Sequence, residues 1–167
     1  MSSSALIFVT KGNGPARIAH YGGWVFIDIA DLDPDEHGDP YPYIERAVDA
    51  AARHTKVFIV VRARNSRPPP AETREMMMTR FGGLGSRLAC ISVALEGGGF
   101  RQIAMQAFVA AARLLGVVEL PVRTSKGLSD ALDHALSVAE TSAGAEPVPS
   151  SRVFEEFFGA HGTATGT

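Results

Sequence analysis

Two apolar runs, Val57–Val61 and Leu88–Leu95, constrain the fold more than anything else in the chain. A strand with one face in water alternates apolar and polar residues. Val57-Phe58-Ile59-Val60-Val61 does not, so both of its faces must be covered. Strands of that kind belong to parallel sheets with helices on either side. Between the two runs, Ala71–Phe81 reads as a helix that stops at Gly82-Gly83. The runs are therefore expected as adjacent parallel strands at the centre of a sheet, joined by a right-handed crossover.

The flanking segments extend this pattern. Ala5–Thr10, Arg17–Tyr21 and Trp24–Ala30 read as two or three strands joined by glycine turns, expected to pair antiparallel by their short connections. Asp31–Pro42 is a polar loop, and Asp39-Pro40 can open a helix on which Ile44, Ala47, Val48 and Ala51 recur at helical spacing. After Gly97-Gly98-Gly99, a long helix carries Phe100, Ile103, Ala104, Ala107, Phe108, Ala111, Leu114 and Leu115 as an apolar stripe that Gly116 ends. Val117–Val122 reads as a strand, with Pro121 favouring an edge. Leu128, Ala131, Leu132, Ala135, Leu136 and Ala139 mark a last helix. The expected product is an α/β domain: a small mixed, mainly parallel sheet of five to six strands covered by four helices.

Composition excludes several classes. A chain of 167 residues with 46% hydrophobic and 20% charged side chains can bury a core without disulfides. A net charge of -2 gives no general attraction to nucleic acid or to membranes. No apolar run approaches the roughly 18 residues that span a bilayer, and Met1-Ser2-Ser3-Ser4 is not a secretory leader, so membrane insertion is not expected and the cytoplasm is the expected location. The single cysteine, Cys90, lies in a buried run and reads as an inert core thiol. The five histidines are scattered without metal-ligand spacing, and the acidic stretch after Asp28 lacks the glycine and closing Glu of a calcium loop. Neither a metal nor a cofactor is expected, and no catalytic residue is assigned.

The element order resembles the STAS domain of anti-sigma-factor antagonists and sulfate-transporter tails, and the related SEC14-like bacterial single-domain proteins. The resemblance covers about Ala16 to Glu140. It rests on that order, on Leu88–Leu95 leading into Gly99-Phe100-Arg101, and on Gly127-Leu128-Ser129-Asp130-Ala131-Leu132 at the last helix. It implies a non-enzymatic regulatory or protein-binding module at residues 1–140, with a protein partner and a possible homodimer. Phosphorylated antagonists carry Asp-Ser-Ser/Thr-Gly at the matching loop. Here that loop reads Arg64-Asn65-Ser66-Arg67-Pro68-Pro69-Pro70, so Ser66 lies nearby while the Asp and Gly are missing.

Ligands of open α/β sheets bind beyond the carboxyl ends of the strands. Arg62, Arg64 and Arg67 follow one expected strand, Arg101 the next, and Arg123 and Lys126 the last. Gly98 and Gly99 precede a helix and could offer N–H groups to an anion. This edge is a candidate site for a phosphate ligand or an acidic partner. The competing reading pairs these charges with Asp31, Asp33, Asp35 and Glu36. On the anion reading Arg62 and Arg64 have no structural role. A deep cavity at this edge would favour a small-molecule sensor and a flat surface a protein binder; an enzyme with dispersed acid and base residues is a third reading.

Residues 141–167 read as a flexible tail, interrupted at 152–158 by a short amphipathic segment. On a helix, Val153 and Phe157, and Phe154 and Phe158, stack four apart. So short a helix is unstable alone in water and is expected to dock on its own domain, on a second copy or on a partner.

Overall fold

The computed structural model describes residues 4–10, 14–114, 121–142 and 148–159. One six-stranded sheet runs in the order β1 (Ile7–Phe8), β2 (Ala16–Tyr21), β3 (Trp24–Ala30), β4 (Val57–Arg64), β5 (Leu88–Glu96) and β6 (Val122–Ser125). The first three strands are antiparallel, and β3 to β6 are parallel. Val57–Val61 and Leu88–Leu95 are thus parallel neighbours inside the sheet. The β2–β3 hairpin turns on two glycines. Gly22 has φ +54°, and a Cβ on Gly23 would stand 2.2 Å from the Lys56 carbonyl oxygen, so only glycine fits there.

Alternation along the strands sends side chains to two separate cores. Val25 and Ile27 of β3, Val57 and Ile59 of β4, and Ile91 and Val93 of β5 face α2 (Tyr41–Ala51), α3 (Ala71–Gly83) and α4 (Phe100–Leu114). Trp24, Phe26, Phe58, Val60 and Cys90 face α5 (Leu128–Thr141) and α6 (Ser151–Phe158). A short helix, α1 (Pro34–His37), sits in the loop after β3, where Asp33 accepts the Asp35 N–H at 3.0 Å as its N-cap.

Two strand boundaries differ from the sequence reading. β4 runs on to Arg64, so Arg62 and Arg64 belong to the strand and not to the loop after it. β6 begins at Val122, just after Pro121, whose carbonyl accepts the Ile91 N–H at 2.9 Å. The expected strand residues 117–120, the helix stop at Gly116 and the tail beyond Gly159 lie outside the described residues. The C-terminal segment takes one of the three dockings left open for it, on its own domain. Residues 151–158 are helical, and Phe157 and Phe158 are buried against Phe26 of the same chain. This stretch is part of the domain core, because full burial of each phenylalanine contributes about 1.5–3 kcal/mol.

Polar groups lock α6 in place. The carbonyls of its last turn lack helical partners. Arg17 donates to the Phe157 oxygen at 2.8 Å, and Arg62 donates to the Phe158 oxygen at 3.2 Å. Arg62 also donates from Nε and Nη2 to the two oxygens of Asp28, at 3.2 and 2.6 Å. Strand register makes the cluster possible, since Asp28 stands opposite Arg17 on one side and Arg62 on the other.

Both members of the Asp28–Arg62 pair are buried. Removing one leaves the other charge unpaired in the core, which typically costs about 3–5 kcal/mol. Arg62→Met is therefore expected to lower stability by about 3 kcal/mol, near the low end because Arg64 stands 3.6 Å from Asp28. Asp28→Asn combined with Arg62→Met should recover part of that loss. Urea unfolding checks both; a single variant as stable as the wild type would contradict the assignment.

Candidate functional site

Between the sheet and α2, α3 and α4 lies an apolar cavity of about 130 Å³. Its floor is built by strand alternation: Ile27 and Ile29, Ile59, Val61 and Ala63, and Ile91 and Val93 all point to this side. Its roof comes largely from α3, through Thr73, Met77, Met78 and Phe81. That helix is weakly anchored. Of its residues Ala71–Gly83, only Thr73 and Phe81 are buried. It follows Pro68-Pro69-Pro70 and ends in a glycine-rich turn, where Gly85 takes φ +56°. Phe81 and Met77 pack on the core, and its other ties are polar: Thr73 donates to Asp39 at 2.9 Å, the Tyr41 hydroxyl donates to the Met76 carbonyl at 3.3 Å, and Arg80 pairs with Asp49.

The cavity reaches the carboxyl ends of the strands at Leu32, Pro34, Asp39, Arg67 and Pro69. The arginines expected there as an anion site are engaged with carboxylates. Arg67 donates through Nη1 to both oxygens of Asp33 at 3.2 Å and to Asp35 at 3.1 Å. Arg101 reaches Asp33 at 3.3 Å. Arg62 and Arg64 both turn to Asp28, on the α6 side of the sheet. The expectation that Arg62 is a free binding group is corrected: it is buried, ion-paired and bonded to α6. Burial alone would raise the Asp33 carboxyl, but the Asp35 N–H and then Arg67 and Arg101 outweigh it and hold it below the ordinary value. The same Asp33 hydrogen bond raises Arg67 further.

The other candidates fall elsewhere. Ser66 is buried, with its hydroxyl donating to the Arg64 carbonyl at 3.1 Å and accepting the Leu32 N–H at 3.3 Å. It ties two loops together and offers no exposed hydroxyl. Gly98 and Gly99 lie exposed in the turn into α4, where Gly97 and Gly99 take φ +98° and +92°. Arg123 lies on β6 beside His134, whose pKa is lowered by burial and then by Arg123; Lys126 is exposed in the turn that follows. Val153, Phe154, Phe157 and Phe158 pack on the opposite face from the cavity, with Phe154 set edge-on to Trp24 and Phe26. The structure thus brings Arg67 and Arg101 together at Asp33 and leaves Arg62, Arg64 and Arg123 on the other face.

Sequence reading missed the cavity, though Met76-Met77-Met78 hinted at it. Three consecutive helical residues cannot share one face: Met76 is exposed, while Met77 and Met78 line the hollow. Burial pushes the Cys90 thiol up to about 12. The buried Ser92 hydroxyl donates to the Ala131 carbonyl at 2.6 Å, and His134 Nδ1 lies 3.3 Å from that hydroxyl oxygen. Among the described residues, no group of three or more His, Cys, Asp or Glu could hold a metal ion, and no helix is long and apolar enough to cross a membrane. Compared with known proteins, the chain matches no family model, no curated protein and no solved structure.

The rim also sets a pH dependence. A carboxyl whose pKa is depressed on folding adds stability above its unfolded value and loses it as pH falls through the folded one. Wild type is therefore expected to exceed Asp33→Asn in stability at neutral pH. The gap should close as the pH drops below the ordinary value of 3.8. Chemical denaturation across an acid series measures it, and a gap that widens towards acid would contradict the assignment.

Proposed function

We propose that the chain is a non-enzymatic binding module that senses a small apolar molecule in the cavity beneath α3. The observation that carries this reading is the cavity itself: about 130 Å³, floored by aliphatic strand residues and reaching the carboxyl edge of the sheet. Open α/β sheets receive ligands at that edge, and an apolar hollow with a few polar groups at its mouth is the usual form of a small-molecule site. A phosphate or acidic ligand is less well supported, because Arg67 and Arg101 already serve Asp33. The raised pKa of the buried Cys90 thiol supports binding over catalysis by that group.

The weak anchoring of α3 supports a regulatory use. A ligand touching Met77, Met78 and Phe81 adds contacts to the least buried helix of this face, and so favours one placement of it. A protein partner reading α3 would then respond to ligand. The STAS-like and SEC14-like resemblance, with the cytoplasmic location it implies, is part of the same proposal; strands followed by alternating helices and parallel strands support it.

Toluene is the simplest probe. The wild-type chain is expected to bind it, with chemical-shift changes confined to cavity residues and a melting temperature that rises with ligand concentration. Val93→Phe should fill the hollow and abolish binding while keeping the fold. Absence of binding to the wild type, or unaltered binding to Val93→Phe, would overturn the proposal.

A further inference from the structure

The sheet ends in an apolar edge. β1 is the outermost strand and pairs with β2 alone. It lies in Ala5-Leu6-Ile7-Phe8-Val9, a run without charge, proline or glycine. Ile7 is 51% exposed and Phe8 40% exposed. Folded proteins commonly guard sheet edges with charges or proline, because a bare apolar edge is a template for another strand. The opposite edge follows that rule: Pro121 precedes β6, Arg123 lies within it and Lys126 follows it. β1 carries no such guard.

The ladder fixes which backbone groups face outward. Ile7 stands opposite His20 and Phe8 opposite Ala19, and the pairing continues at Val9, whose N–H donates to the Ile18 carbonyl at 2.8 Å. Bonded and non-bonded pairs alternate along an antiparallel ladder. Val9 and Ile7 therefore turn their backbone groups to β2, while Leu6 and Phe8 turn theirs to the open side. A strand docking on this edge must bond those two residues.

The sequence of the run selects the occupant. Paired antiparallel with itself about Ile7, it sets Leu6 against the second copy's Phe8 and Ala5 against the second copy's Val9. Both outward-facing residues are then bonded, and the two exposed Ile7 side chains meet on the axis. Like charges opposed across a ladder are destabilising, and this register opposes none. A two-fold interface needs a patch that matches itself, and this run does. Arg17, which lies over the Phe8 ring, already donates to the Phe157 carbonyl at 2.8 Å.

We propose that β1 is a homodimer interface, through which two copies join antiparallel about Ile7 and continue one sheet from molecule to molecule. The interface is independent of the cavity, whose lining takes no residue from β1.

Sedimentation equilibrium of the full-length chain at rising concentration tests it. The wild type is expected to pass from monomer to dimer in about the micromolar range, as suits a small interface. Ile7→Lys sets two like charges face to face on the axis and should weaken the dimer at least about tenfold. Its circular dichroism and its melting temperature at low concentration should match the wild type, because Ile7 is half exposed. Ile7→Cys gives the register its own readout. A non-bonded pair places the two Cα atoms about 4.5 Å apart, within disulfide reach, and the native Cys90 is buried. Mild oxidation should cross-link Ile7→Cys far faster than Ile103→Cys, which is 64% exposed on α4. A wild type that stays monomeric to about 500 µM would overturn the proposal. So would an Ile7→Lys variant that dimerises like the wild type, or Ile7→Cys that cross-links no faster than Ile103→Cys.

Discussion

Arg62 satisfies two buried needs with one guanidinium. It neutralises Asp28 in the neighbouring strand and donates to the Phe158 carbonyl at the end of α6. Arg17 does the same for Phe157 from the other side, lying over the Phe157 ring. The helix end carries partial negative charge, so cations there are favourable beyond the hydrogen bonds themselves. Asp28 in turn prevents the clustered arginines from repelling one another. With this face sealed by aromatic packing, the sheet has one other face on which an internal hollow can persist, and that face is covered by α2, α3 and α4.

The two faces are built to different standards. Beneath α6, Trp24 stacks on Phe58 with ring centroids 4.6 Å apart, and Phe157 meets Phe158 edge-on at the same distance. Beneath α3, methionines bound an open volume. Methionine is long, unbranched and adaptable, suited to a surface whose occupant changes. Filling the hollow with fixed side chains would give a more stable protein. The unfilled volume is therefore a cost in stability that the proposed binding role would offset.

Much of the fold was legible in the sequence because strand burial writes itself into residue pattern. Val57–Val61 has no polar residue, and Trp24–Ala30 sends Trp24 and Phe26 one way and Val25 and Ile27 the other. The candidate site was less legible. Arg62 and Arg64 follow an apolar run and look like the start of a loop; only strand register shows Arg62 opposite Asp28, thirty-odd residues away in the chain. The cavity floor has no sequence signature, since its residues are the same Ile and Val that fill an ordinary core. The tail was ambiguous for another reason. A short amphipathic helix announces that it must dock, but the surface it docks on is assembled from β2, β3 and β4.

A binding role requires the space beneath α3 to be apolar, dry and accessible. Crystals of the full-length chain pressurised with xenon test it directly, because xenon enters dry apolar cavities and is seen by its electron density. The account predicts a xenon peak enclosed by Ile59, Val61, Val93, Met77 and Phe81. Side chains collapsed into that volume, or ordered water filling it with no xenon, would contradict the account.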